Sequence, residues 1–455
     1  METKLTINQE VLITIKTIGI NGEGIGFYKR QAVFVDGVMP PEEVVVRIKS
    51  LHKGYAVAEA KHIRKKAFYR RRPFCKHYGV CGGCQLQHVD YEEQQRLKED
   101  LLKQSFKRYT NLPLSSVKFH PFNPIVKPKN YRYKAQMPVK NTNQGVVTGL
   151  YKKNSQELVE VLDCPVQNEE INHTNQRVLE ICDRYDIRAF DEKTMRGMLR
   201  HLVTRRSQAT GEIQVTLVIT IFNKVLFKAA NDILELPDVV SVAISKNHDV
   251  KNRKVFGETF EVLAGKADIE EKLGDIHYAL NPKAFFQLNP QEAQNMYEYV
   301  RTLFDPSKER TLLDLYTGSG AMALYYGKMF DCVIGVDSDE ASIRSAKENA
   351  KRNQMKHVEF VNADAVDFVT NMQKEGRAVD VAVFDPPRTG LDERLIRSLI
   401  SNPVPKLIYV SCNPSTLAKN IDKLSKRYRV KSVMPFDMFP QTSHVESVTL
   451  LELKA

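Results

Sequence analysis

The chain has 455 residues, a net charge of +12 and seven cysteines. That length gives about two to four domains, and the absence of any run of roughly 18 apolar residues excludes a helical membrane span. METKLTINQE holds no apolar stretch behind a basic one, so no secretory leader is expected. The odd, unevenly spaced cysteines do not form a disulfide framework, which points to a reducing, cytoplasmic setting.

The basicity is local. Residues 1–150 carry a net charge of +14 and residues 151–455 a net of −2. Such asymmetry fits a polyanionic partner, most simply a nucleic acid, against the plainer alternative of a solvated basic face. Residues 1–60 alternate short β-type runs (VLITIKTI, QAVFVDGV, EVVVRIKSL, YAVAEAKHI) with Gly and Pro turns, which predicts a small barrel of the kind that binds oligonucleotides. KHIRKKAFYRRRPF (61–74) then packs seven Lys/Arg among Phe68, Tyr69 and Phe74. Cations hold phosphates while rings stack bases, so this composition suits RNA.

CKHYGVCGGC follows, with Cys75, Cys81 and Cys84 in a C-x5-C-x2-C run; Cys164, before Pro165, can close a four-thiolate site. Such a set suits zinc or an iron–sulfur cluster, and spacing does not choose between them. Residues 91–108 read as an amphipathic helix. From about 130 to 265 the pattern is β-rich, interrupted by a helix near 166–187. Cys182 and Cys332, in helical and strand contexts, are expected to be core residues.

From about 295 strand and helix alternate: LLDLY, VIGVD, VEFV, VDVAVFD and LIYVS are separated by helical stretches. This pattern gives a parallel sheet with ligands at the carboxyl ends of its strands. After the first strand, Gly318, Gly320 and Ala323 match a G-x-G-x-x-G/A turn, and Asp337 ends the second, where a carboxylate can accept from ribose hydroxyls. NAD and S-adenosylmethionine (SAM) both satisfy this much. FDPPR (384–388) favours SAM, because a rigid polar loop at the fourth strand's end can face both a methyl group and a target base. Cys412, in VSCNP, stands at the end of the fifth strand.

With DLYTGSG, FDPPR, VSCNP and SHVESV (443–448) in register, the chain resembles bacterial RNA (uracil-5-)-methyltransferases, most closely the branch acting on 23S ribosomal RNA. The resemblance implies a multidomain α/β protein with three parts. These are a TRAM barrel (1–63), a central β-rich domain with a [4Fe-4S] cluster on Cys75, Cys81, Cys84 and Cys164 (64–280), and a Rossmann-like catalytic domain (281–455) on which the helical segment 91–125 packs. It assigns Cys412 as the nucleophile that adds to uracil C6 and Glu446 as the base that removes the C5 proton. Nothing in spacing brings these two together; both follow candidate strands. Gln287, Tyr316, Asp337 and Asp385 carry over as SAM contacts, with Asp364 as a further adenine contact.

The target uracil must be flipped out or already unstacked. The expected partners are SAM and 23S rRNA, with tRNA as the alternative RNA, and the protein is expected to work as a cytoplasmic monomer away from membranes. An N-methyltransferase acting on a base amine would share FDPP but leave Cys412 and Glu446 idle. A non-catalytic RNA-binding or ribosome-assembly protein would need neither, and an NAD oxidoreductase would leave FDPPR unexplained.

Overall fold

The structure is a computed structural model that describes residues 5–122, 128–249 and 254–454; the last part of the expected helical segment 91–125 lies outside them. Five strands, β1 (Glu10–Ile18), β2 (Gly24–Tyr28), β3 (Gln31–Val35), β4 (Glu43–His52) and β5 (Tyr55–Lys65), close into a barrel in the order β1-β2-β3-β5-β4. Inward residues such as Ile13, Ile15, Val33, Val44 and Val46 alternate with more exposed ones, and closure leaves no unpaired edge. The basic aromatic stretch after it is only partly a surface. Phe68 is 85% exposed, but Tyr69 is buried and donates to the Pro40 carbonyl, and Arg70 forks onto the buried Glu42 at 2.5 and 2.7 Å.

Helix α1 (Tyr91–Tyr109), capped by Asp90, and a two-residue strand β6 (Lys118–Phe119) follow. The central unit is a mixed seven-stranded sheet with two helices. In chain order its elements are β7 (Lys134–Thr142), β8 (Gly145–Tyr151), β9 (Leu158–Glu160), α2 (Glu169–Arg184), β10 (Leu199–Arg206), β11 (Ile213–Ile219), α3 (Val225–Leu234), β12 (Val239–Lys246) and β13 (Thr259–Gly265). Only β11 and β12 run parallel, joined through α3. Cys182 lies fully buried in this unit's core.

The hairpin β14 (Ile269–Leu273) and β15 (Ile276–Leu280) lends Leu273, Tyr278 and Leu280 to the core of the next unit, so that core starts before residue 281. Its elements alternate as α4 (Pro290–Arg301), β16 (Thr311–Leu315), α5 (Ala321–Tyr326), β17 (Cys332–Asp337), α6 (Glu340–Arg352), β18 (Val358–Asn362), α7 (Ala365–Lys374), β19 (Val381–Phe384), α8 (Glu393–Ser401), β20 (Lys406–Ser411) and α9 (Pro414–Leu424). Two long strands, β21 (Tyr428–Phe436) and β22 (Glu446–Leu453), end the chain. The strand order is β18-β17-β16-β19-β20-β22-β21-β6. The first five are parallel, and β22 runs antiparallel between β20 and β21. Chain direction across the sheet switches between β16 and β19, where open α/β sheets place their ligands.

The segment before the central unit belongs physically to this last sheet. Strand β6 pairs with β21 at its edge, and Phe106 of α1 packs into the same core as Leu417, Ile421 and Val433. Lys98 Nζ lies 2.6 Å from Asp437 Oδ1 with both side chains fully buried, and Tyr91 donates to the other carboxylate oxygen at 3.0 Å. Among the described residues no helix is long and apolar enough to cross a membrane. Removing one partner of a buried ion pair strands the other charge. Lys98→Met should therefore cost about 3–5 kcal/mol, read as a lower urea midpoint for the unfolding of the catalytic unit.

Candidate active site

The chain leaves β16 through a turn in which Tyr316, Gly318 and Gly320 all take positive φ, at 65°, 54° and 82°. At Gly320 a Cβ would sit 2.7 Å from the Phe360 ring, so only glycine fits there. Two carboxylates hold the turn. Asp337 Oδ2 accepts from the Gly318 N–H at 2.9 Å; Asp314 Oδ2 accepts from Thr317 Oγ1 at 2.6 Å and from the Ala323 N–H at 3.0 Å. Burial pushes Asp314 up to about 7. The turn walls a cavity of about 400 Å3 that Gln287, Tyr316, Asp337 and Asp385 all line. Asp364 is not on this wall; it caps α7, accepting from the Val366 N–H at 2.9 Å.

A second cavity, of about 580 Å3, holds Cys412 and Glu446. Phe285, Gln287, Asp385 and Pro387 line both, so the two cavities share one wall. Sheet register explains why Cys412 and Glu446 meet. In the antiparallel β20/β22 ladder Ser411 pairs with Ser447, and the next position outward sets Cys412 opposite Glu446. Glu446 thus opens a strand, where the sequence had suggested that it follows one. Cys412 sits between the end of β20 and Asn413, whose side chain caps α9, and this turn fixes its direction.

The electrostatics of this cavity are lopsided. Burial, then the Glu446 and Asp385 carboxylates, push the Cys412 thiol up to about 11, while Arg388 pulls it down. Burial raises Asp385 to about 7, and burial followed by Asp385 raises Glu446 well above the usual carboxylate range, again opposed by Arg388. Glu446 is 4% exposed and its Oε1 has no hydrogen-bond partner. Arg388 Nη2 lies 3.0 Å from His444 Nδ1. A guanidinium only donates, so Nδ1 accepts and the imidazole proton sits on Nε2. Burial, then Arg388, lowers His444 to about 4 and keeps the ring neutral. Ser443, three residues before Glu446, donates to the Ile20 carbonyl of the barrel at 2.9 Å.

Asp314, Phe285 and Arg388 had no assigned role in the sequence. Asp314 and Arg388 stood inside the quoted motifs DLYTGSG and FDPPR; Asp314 holds the local turn through Thr317 and Ala323, whereas Arg388 depends on His444, 56 residues further along the chain.

Cys75, Cys81, Cys84 and Cys164 line the same cavity as Cys412, and none is in a disulfide. Burial raises Cys81, Cys164 and, to about 12, Cys84; each also feels the negative charge of its neighbouring thiols. Among the described residues no three His, Cys, Asp or Glu side chains come close enough together to hold a metal ion.

This fold and its two joined cavities are those of a SAM-dependent RNA methyltransferase. The family description "tRNA (Uracil-5-)-methyltransferase" matches residues 90–454, and "TRAM domain" matches residues 4–61. The chain belongs to the tRNA (uracil-5-)-methyltransferase family. It is 38% identical over 456 residues to an RNA methyltransferase of Bacillus cereus, covering 100% of this chain and 99% of that one. It is also 38% identical over 451 residues to one of Listeria monocytogenes, covering 98% of each. The structure of the Pyrococcus abyssi tRNA (uracil-54, C5)-methyltransferase with S-adenosyl-L-homocysteine superposes with a TM-score of 0.77 at 27% identity, covering 97% of this chain and 100% of that one.

Alkylation of Cys412 by iodoacetamide, followed on its peptide by mass spectrometry, should rise with pH to half-maximum near pH 11. Arg388→Gln should move that midpoint higher, because it removes the cation that favours the thiolate.

Proposed function

We propose that the protein methylates C5 of a flipped-out uridine in RNA through a covalent Cys412 adduct. The observation that carries this reading is the placement of Cys412 opposite Glu446 in a cavity that shares the Asp385 wall with the cofactor cavity. Gln287, Tyr316, Asp337 and Asp385 would hold SAM, which would supply an electrophilic methyl group through cleavage of its sulfonium–methyl bond and leave as S-adenosylhomocysteine. The Cys412 thiolate forms a bond to C6, and the C5=C6 electron pair moves to give an enolate whose C5 takes the methyl group. Glu446 then takes the C5 proton, and the electron pair left behind re-forms C5=C6 and expels the thiolate. Arg388 favours the charged forms of both residues and so supports attack and proton removal.

The first substrate assigned is 23S rRNA, on the strength of the basic N-terminal third and the motifs shared with that branch. The barrel does not separate rRNA from tRNA, since the Pyrococcus enzyme, named for a tRNA uridine, aligns along its whole length. Transfer RNA is therefore the second reading. With RNA tritiated at uridine C5, the protein and SAM should release tritium to water from 23S rRNA in preference to tRNA. Cys412→Ala should abolish release, by at least about a thousandfold. Full release by that variant would remove the covalent mechanism.

We infer a [4Fe-4S] site, with zinc as the alternative, at Cys75, Cys81, Cys84 and Cys164, which line one cavity; the family resemblance, not the spacing, favours the cluster. Such a group would be structural, tying the loop 75–84 to Cys164. Protein purified without oxygen should contain iron and acid-labile sulfide in equal amounts, and Cys84→Ser should lose both. Zinc alone would overturn this assignment.

A further inference from the structure

A second groove, of about 850 Å3, runs between the barrel, α1 and the loop residues Ser443 and His444. His444 lines both this groove and the cavity of Cys412, so the two adjoin. Two acceptor atoms on the groove's residues are buried and without partners: Glu23 Oε2 and Gln85 Oε1. Their other polar atoms are engaged. Glu23 Oε1 accepts from Asn21 Nδ2 at 3.2 Å, and Gln85 Nε2 donates to the Gly82 carbonyl at 2.9 Å, which fixes the amide with its oxygen free. The two residues are neighbours across Gly22, where a Cβ would lie 2.6 Å from Gln85 Cβ.

The groove also carries groups that suit a nucleotide. Phe34 and Tyr55 meet edge to face at 5.3 Å, and Tyr55 stacks on His52 at 4.6 Å. Arg108 lies over Tyr109 at 5.3 Å. Rings accept bases and the guanidinium accepts a phosphate. Unmet buried acceptors are costly, and a ligand that donates hydrogen bonds relieves them. A phosphate has nothing to donate. Uracil offers one N–H on its pairing edge and adenine or cytosine one amino group, whereas guanine presents N1–H and N2–H2 side by side.

We propose that this groove is a second base subsite, which selects a guanine near the target uridine through Glu23 and Gln85. The inference rests on the RNA-modification reading above, and its test separates the two. Labelled RNA heptamers with a central uridine, carrying guanosine, inosine or adenosine at each other position in turn, would be titrated with the full-length protein and read by fluorescence anisotropy. At one position guanosine should bind about tenfold or more tightly than adenosine, with inosine, which lacks the N2 amine, between them. Glu23→Gln and, independently, Gln85→Met should shrink that preference. Equal affinities at every position, or a preference unchanged in both variants, would overturn the subsite. A preference that both variants abolish, in a protein that releases no tritium from any RNA, would uphold the subsite and sink the methyl-transfer reading.

Discussion

The antiparallel pairing of β20 with β22 is the constraint on which the candidate site depends. Its register sets Ser411 against Ser447, and the Ser447 hydroxyl donates to the Ser411 carbonyl at 3.3 Å. Cys412 and Glu446 then fall opposite each other although 34 positions of chain separate them. Side chains alternate along a strand, so a slip of one residue would turn Glu446 to the other face and leave Asp385 as the carboxylate lining the cavity. The rest of the sheet serves this pairing. Strand β21 and the short β6 cover the outer side of β22, so the ladder lies inside the sheet and is held from both sides.

The same burial that fixes geometry sets the charge problem. Asp314, Asp385 and Glu446 all lie where desolvation favours their neutral forms, and the Cys412 thiol is raised for the same reason. Arg388 opposes the shift at Cys412 and Glu446 while bonded to a neutral His444. Cavities lined by three buried carboxylates suit a cationic cofactor.

Much of this was visible in the sequence because it depends on local order. The glycine turn, Asp337, FDPPR and VSCNP each belong to one strand end, and strand–helix alternation gave the parallel sheet before any packing was known. Features that depend on pairing at a distance were not visible. Neither the antiparallel insertion of β22 nor the early start of the catalytic core at the hairpin Ile269–Leu280 leaves a periodic signature. Arg70 shows the same limit from the other side. In sequence it is one of a run of surface cations, yet its guanidinium is committed to the buried Glu42. The orphaned oxygens of Glu23 and Gln85 are likewise properties of a groove between units.

The bond between Lys98 and Asp437 spans 339 residues of chain. During synthesis, at about 5–20 residues per second, Lys98 therefore waits on the order of 17–70 s for its partner to be made. The barrel has all five of its strands by residue 65 and can close at once. Helix α1 cannot dock, because the helix and strand that receive Phe106 are among the last elements translated. For that interval its apolar face and its lysine stay in water or with a chaperone. The order of the genetic message thus makes the catalytic half the last to assemble, and the N-terminal barrel is already complete when it does.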